Sequence, residues 1–270
     1  MKLPKVAGTV NEVLSELKSL AEEAAEAHNP NGLFFALYRL VTLQVKRGIE
    51  EKKFDNPERM ETVDVVFANL LFDQVRASRE GSDHSDHSDH SDQVSVESWR
   101  FFLQAQGRHD LTAAQHMLLG VAPHILHDLA LAVFKVVPKE EIESFRQDYV
   151  QINDLLFKVL EEIQDILGSR SCGMRFVDWI FCKTDEWIAM TELVLVRDQA
   201  FEGARRLHAA TAPASNLSVE QIRKELDAES LAFSEAIAAR VTTCVLCQIG
   251  VSEEQKFGSI IRDCLQLALK

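Results

Sequence analysis

Apolar residues recur along the chain at intervals of three and four, and alternation with period two is nearly absent. That spacing lines one face of an α-helix, so it predicts an all-α fold. Val13, Leu14, Leu17, Leu20, Ala21 and Ala24 mark a first amphipathic helix, with Asn11 or Thr9 as its cap. Asn29-Pro30-Asn31-Gly32 breaks it, and a second helix runs from about Leu33 to Ile49. The third opens at Asn56-Pro57-Glu58, a cap followed by proline at the first helical position, and buries Met60, Val63, Phe67, Leu70 and Leu71. A short fourth carries Val96, Trp99, Phe102 and Leu103.

The fifth helix, about Leu111 to Val136, is apolar nearly all round. A helix of that kind is covered on most sides, so it belongs at the centre of a multi-helix bundle. Pro138 starts a sixth with the stripe Ile142, Phe145, Tyr149, Ile152, Leu156, Val159, Ile163 and Ile166, and Gly168 is its expected stop. Further helices are expected at about Arg175–Thr211, broken once, at Ser218–Ile249, and from near Ser252. Ser218-x-x-Gln221 and Ser252-x-x-Gln255 read as capping boxes. No repeat of fixed period and no dividing linker appears, which predicts a single helical domain over residues 1–270.

One segment departs from this pattern. Residues 81–92 repeat a Ser-Asp-His triplet three times without one apolar residue, so a disordered surface loop is expected at about 80–93. Its histidines and carboxylates offer at most weak chelation of Zn²⁺, Ni²⁺ or Cu²⁺, because a flexible ligand set must be ordered on binding.

The net charge of −13, from 42 acidic and 29 basic residues, opposes binding to nucleic acid or an anionic membrane. The N-terminus lacks the apolar stretch of a signal peptide, and no run reaches the roughly 18–20 apolar residues that span a bilayer. Five cysteines in no regular framework suit a reducing compartment, and the cytoplasm is the expected location. Cys244-x-x-Cys247 has no second pair and falls mid-helix, which favours buried small residues over a redox or zinc site.

The polar residues of the fifth helix are the main candidates for chemistry. On a regular helix His116, Gly120, His124 and His127 fall within a sector of roughly 80°. Asp128 follows His124 by one turn, the spacing at which a carboxylate and an imidazole meet. Such a pair either shares a metal ion or lets the carboxylate orient the imidazole as a base. Pro123 is expected to kink the helix just before it. On the third helix Glu61 and Asp64 are three residues apart, and Asp64 sits in the apolar run Val63-Asp64-Val65-Val66-Phe67. If Glu61 or Asp64 approaches His124 and Asp128, the oxygen and nitrogen ligands suit Zn²⁺, Mn²⁺, Fe²⁺ or Mg²⁺. The competing reading is structural: a hydrogen-bonded core histidine beside a capped or paired aspartate. No phosphate-cradling glycine loop, nucleophile elbow or Glu-x-x-His pair is present, so no nucleotide or covalent cofactor is indicated.

These segments resemble the family known as domain of unknown function 5995, whose members occur in bacteria, fungi and other eukaryotes. The likeness runs through Asn31-Gly32-Leu33-Phe34-Phe35, residues 60–69 from Met60 to Asn69, Trp99, residues 120–129 from Gly120 to Leu129, residues 148–153 and the Trp187 region. The family's central motif reads approximately Gly-x-Asn-Ala-His-Ile-x-x-Asp-Leu. His124, Asp128 and Leu129 match it, Ala122-Pro123 stands where Asn-Ala is usual, and His127 falls at a variable position. The resemblance implies a helical fold and singles out His124 and Asp128, but it brings no activity. A looser likeness, of class only, is to helical zinc phosphoesterases with a His-x-x-x-Asp pair on a buried helix.

Two functions remain open at this point. One is an enzyme using a metal-centred or acid–base site of His124, Asp128, Asp64 and Glu61, with His116 and His127 as further ligands. Its substrate would be a small hydrophobic molecule, such as a phosphate or diphosphate ester. The other is a non-catalytic helical protein that binds an apolar ligand or partner helix around a structural His/Asp cluster.

Overall fold

The computed structural model describes residues 3–81, 96–170, 185–213, 215–239 and 256–267, with side chains from 160 to 192 left out of the description. Among the described residues it is an all-α, multi-helix fold with no strand. The helices are α1 (Val10–Glu26), α2 (Gly32–Glu50), α3 (Pro57–Gly81), α4 (Glu97–Gln104), α5 (Ala113–Pro123), α6 (Ala130–Val136), α7 (Ile142–Arg170), α8 (Asp185–Ala210), α9 (Val219–Ala239) and α10 (Phe257–Leu267). A π-helical turn, His124–Leu129, joins α5 to α6 without a break.

Local chemistry explains most of the ends. Thr9 Oγ1 accepts from Glu12 N–H and starts α1. Asn56 Oδ1 caps α3 through Arg59 N–H at 3.0 Å. Ser218 and Gln221 form the expected capping box at α9. Others come from far along the chain. Both oxygens of buried Asp148 accept from Asp55 and Asn56 N–H before α3, and Asp227 accepts from Glu97 and Ser98 N–H at the start of α4. The helix through Gly168 continues to Arg170, past the expected stop. The Ser-Asp-His repeat, Cys244-x-x-Cys247 and Ser252-x-x-Gln255 lie outside the described residues.

The long element α5–π–α6 is the axis of the packing. Its first part meets α2, α4 and α9, the π turn meets α3, α8 and α9, and α6 lies on α3 and α8. α1 covers α2 and α3, with α10 closing over α1, α2 and α7. One hydrophobic cluster draws on every helix named. The stripes read from the sequence face it: Met60, Val63, Phe67 and Leu71 on α3, and Ile142, Phe145, Tyr149, Ile152, Leu156 and Val159 on α7.

By length and hydropathy the 24 residues Ala113–Val136 would suffice to cross a membrane, contrary to the estimate from uninterrupted apolar runs. Their most apolar 18-residue window is 78% buried within the bundle, packed against neighbouring helices. α5 and α2 approach closely because residue 120 is glycine: a Cβ there would stand 2.7 Å from the Cβ of Phe34. That contact brings the aromatic residues of α2 against the central helix, where the candidate chemistry lies.

Candidate functional site

Pro123 sets the local geometry. It has no N–H to give the carbonyl one turn back, and its ring crowds that carbonyl. The backbone accommodates it by widening into the π turn, whose hydrogen bonds run from i to i+5. The 100° step of a regular helix no longer applies through such a turn, so the sector drawn for His116, Gly120, His124 and His127 does not carry across it. Asp128 consequently reaches both His124 and its own neighbour His127.

Asp128 is the hub, at 1% exposure. Its Oδ1 lies 2.8 Å from His127 Nδ1, and its Oδ2 accepts from the Trp99 indole Nε1–H at 3.0 Å. His124 Nδ1 is 3.5 Å from Oδ2, near enough to feel its charge but too far for a well-formed hydrogen bond. Burial pushes the Asp128 carboxyl up, but the neighbouring imidazoles of His124 and His127 hold it down more strongly, and the net direction is down. An ionised carboxylate only accepts, so His127 Nδ1 carries the proton and, in the neutral ring, Nε2 keeps its lone pair. His127 retains 4% side-chain exposure, and neither of its nitrogens is among the sealed, unpartnered atoms. With Nδ1 engaged by Asp128, Nε2 is the nitrogen left with access.

His124 sits differently. Its ring stacks on Phe67 at 3.6 Å between centroids and meets Tyr38, Phe34 and Trp99 edge-on at 4.2, 5.5 and 6.0 Å. Both nitrogens are sealed from solvent and lack a hydrogen-bond partner. Burial pushes its pKa down against the opposing pull of Asp128, which keeps the ring neutral near pH 7.

Asp64 on α3 is a second buried polar group. Asp64 is 6% exposed, its Oδ2 is sealed without a partner, and burial, reinforced by the charge of Glu61, lifts its pKa to about 7. The Tyr38 hydroxyl is likewise sealed and unpartnered, with Thr42 Oγ1 beside it in no well-formed hydrogen bond. Burial raises the Tyr38 pKa well above its ordinary value, and the charges of Asp64 and Asp128 add to that rise. The carboxylates of α3 and of the π turn thus both act on Tyr38 through their charge.

Not every residue singled out in the sequence joins this cluster. Glu61 turns Oε1 toward Val10 N–H at 3.5 Å, at the first turn of α1, and acts on the cluster only as a charge beside Asp64. His116 is buried against Phe257 on α10, with burial taking its pKa down to about 4, and no contact joins it to Asp128. The sector expected to unite His116, Gly120, His124 and His127 is thus replaced by two separate environments. Among the described residues no group of three or more His, Cys, Asp or Glu side chains is arranged to hold a metal ion. The sequence carries no signal that marks Trp99 as the partner of Asp128, or Tyr38 and Thr42 as buried hydroxyls beside the cluster. Trp99 and Tyr38 read as core aromatics in a linear sequence, and nothing local shows where an indole N–H or a phenol will point.

The sequence profile of DUF5995, a family of unknown function, matches residues 10–240. The chain belongs to that family. No curated protein and no solved structure shows significant similarity to it. The DUF5995 match spans all the residues of the cluster, from Tyr38 on α2 to Asp128 on the π turn.

Proposed function

We propose that this DUF5995 protein is an acid–base enzyme acting on a small, largely apolar molecule, with His127 as base and Asp64 as acid. The observation that supports it is the Trp99–Asp128–His127 chain: a buried carboxylate fixed by an indole N–H and oriented on one imidazole nitrogen. That arrangement holds the tautomer that presents Nε2 as a proton acceptor. Asp64, buried and protonated up to about pH 7, is the proton donor in this reading. Divalent-metal catalysis is the weaker proposal for these residues. The donor atoms Nδ1 of His124 and His127 both face Asp128 rather than a shared position for an ion, and Glu61 is directed elsewhere.

The competing reading, a structural cluster in a binding or interaction protein, draws on the same bonds of Asp128. The two differ in what the unpartnered atoms do for stability. A site kept for function carries polar groups that weaken the fold, so apolar or neutral replacement raises the melting temperature. Tyr38→Phe and Thr42→Val are expected to leave stability unchanged or raised, with circular dichroism unaltered. Long-range imidazole ¹⁵N correlation spectra should show His127 with Nδ1 protonated and Nε2 bare at pH 8. A bare Nδ1 in that spectrum would overturn the assignment of His127 as base.

A further inference from the structure

Arg197 on α8 is the most buried arginine among the described residues, at 3% exposure, and no described carboxylate lies within ion-pair distance of it. Arg59, Arg146 and Arg206, all more exposed, each face one. Neutral groups hold the Arg197 guanidinium instead. Its Nε donates to Asn153 Oδ1 at 2.7 Å, its Nη2 donates to the Tyr149 carbonyl at 2.8 Å, and its carbon lies 4.4 Å from the centre of the Tyr149 ring. The Tyr149 hydroxyl donates back to the Arg197 carbonyl at 2.5 Å, so α7 fixes both the head and the backbone of this residue. A guanidinium stays charged at physiological pH and carries five N–H donors in a planar fork. Nη1 bonds to no described group and is not among the sealed, unpartnered atoms, which makes it the corner of the fork with access. A buried charge held by neutral acceptors alone is costly, and an anion that completes the fork relieves that cost.

We propose that the seam between α7 and α8 binds a small monocarboxylate with an apolar body, its carboxylate on the Nη1–Nη2 edge of Arg197. The apolar body is argued from a separate observation. Val150 and Phe157 stand three residues before and four after Asn153, along one edge of α7, and are 43% and 37% exposed. They flank the residue that holds Arg197 and offer apolar surface beside it. A single negative charge suits the site better than two. Asp198, next to Arg197, is engaged by Arg146 at 3.2 Å, and exposed Asp154 follows Asn153, so the second charge of a phosphate would meet carboxylates with Arg146 already occupied. The site is distinct from the cluster at the π turn and does not rest on its reading.

The test uses the full chain with hexanoate, 1-hexanol, hexylammonium and inorganic phosphate as separate arms at neutral pH and constant ionic strength. Hexanoate at about 10 mM should raise the melting temperature by roughly 3 °C, the shift expected for a Kd of about 1 mM. The other three probes should give less than half of that. Arg197→Lys keeps the charge but loses the fork and should weaken hexanoate at least tenfold by calorimetry. Phe157→Ser, at an exposed position, should leave the unliganded melting temperature unchanged and weaken hexanoate about threefold through lost apolar contact. An equal shift with hexanol, hexylammonium or phosphate would overturn the proposal, as would no shift with hexanoate or full hexanoate affinity in either variant. If Arg197→Lys does not fold, the Nε–Hε resonance of Arg197 in the parent protein decides: hexanoate should move it, and a resonance unmoved at saturation would leave Arg197 as a clamp between α7 and α8 and nothing more.

Discussion

Replacing Asp64 with asparagine isolates the cost of burying a carboxyl that burial and the Glu61 charge hold in its protonated form. Burial, with the Glu61 charge second, lifts its pKa from 3.8 to about 7. Between those values the folded chain holds a proton that the unfolded chain has released, so stability falls as the pH rises. The contribution is complete below about pH 4 and has been lost once the pH passes about 7. A shift of about 3 units corresponds to about 4 kcal/mol, and at about 2–4 °C per kcal/mol that is roughly 8–16 °C in melting temperature. Asparagine is neutral throughout. Its amide is no better partnered than the acid, but that cost does not change with pH and drops out of the slope. His116 and His124, held down by burial, act in the opposite sense and cost stability as the pH falls below about 6.5. They are common to both proteins, so they cancel in the difference. Calorimetric melts at several pH values should therefore show Asp64→Asn gaining on the parent by roughly 8 °C or more between pH 4.5 and 8.5. A difference that stays flat over that range would mean that Asp64 is ionised throughout or already faces a cation, and the argument for an uncompensated acid would be refuted.

Trp99→Phe removes the indole N–H from a buried, ionised Asp128, and a hydrogen bond to a charged group is worth about 1.5–3 kcal/mol. Denaturant unfolding should show a loss of at least that size, and an unchanged midpoint would remove Trp99 from the chain of bonds. Gly120→Ala forces a methyl group into the Phe34 ring and should cost about 3 kcal/mol, with near-ultraviolet circular dichroism changed by the displaced aromatics; tolerance would mean that α2 and α5 stand further apart. Lys52 ends α2 at φ 54°, a left-handed conformation that favours glycine. Lys52→Gly should stabilise the protein by about 1 kcal/mol, read as a rise of about 2–4 °C, and a fall would contradict that helix end.

The helices were legible because their signal is local. Threonine at α1, Asn56-Pro57 at α3 and Ser218 with Gln221 at α9 act over one turn of backbone, and the apolar stripes of α3 and α7 need only the helical repeat. The buried status of residues 111–136 also followed from composition alone, since a helix apolar on every side has nowhere else to go. His124 and Asp128 could be named for the same reason: polar groups in so apolar a segment require a partner. Which partner was beyond the sequence. Trp99 meets Asp128 across 29 positions and Asp227 caps α4 across 130, separations at which no periodicity operates. Tertiary packing turned Glu61 toward α1, set His116 against Phe257 and closed Phe34, Tyr38, Phe67 and Trp99 around one imidazole. Proline at 123 was visible as a disturbance, but the π turn it produced, with Asp128 serving two histidines at once, depended on neighbouring helices to hold the widened backbone in place. Local rules state what each segment must bury; only the packed bundle decides what each buried group will touch.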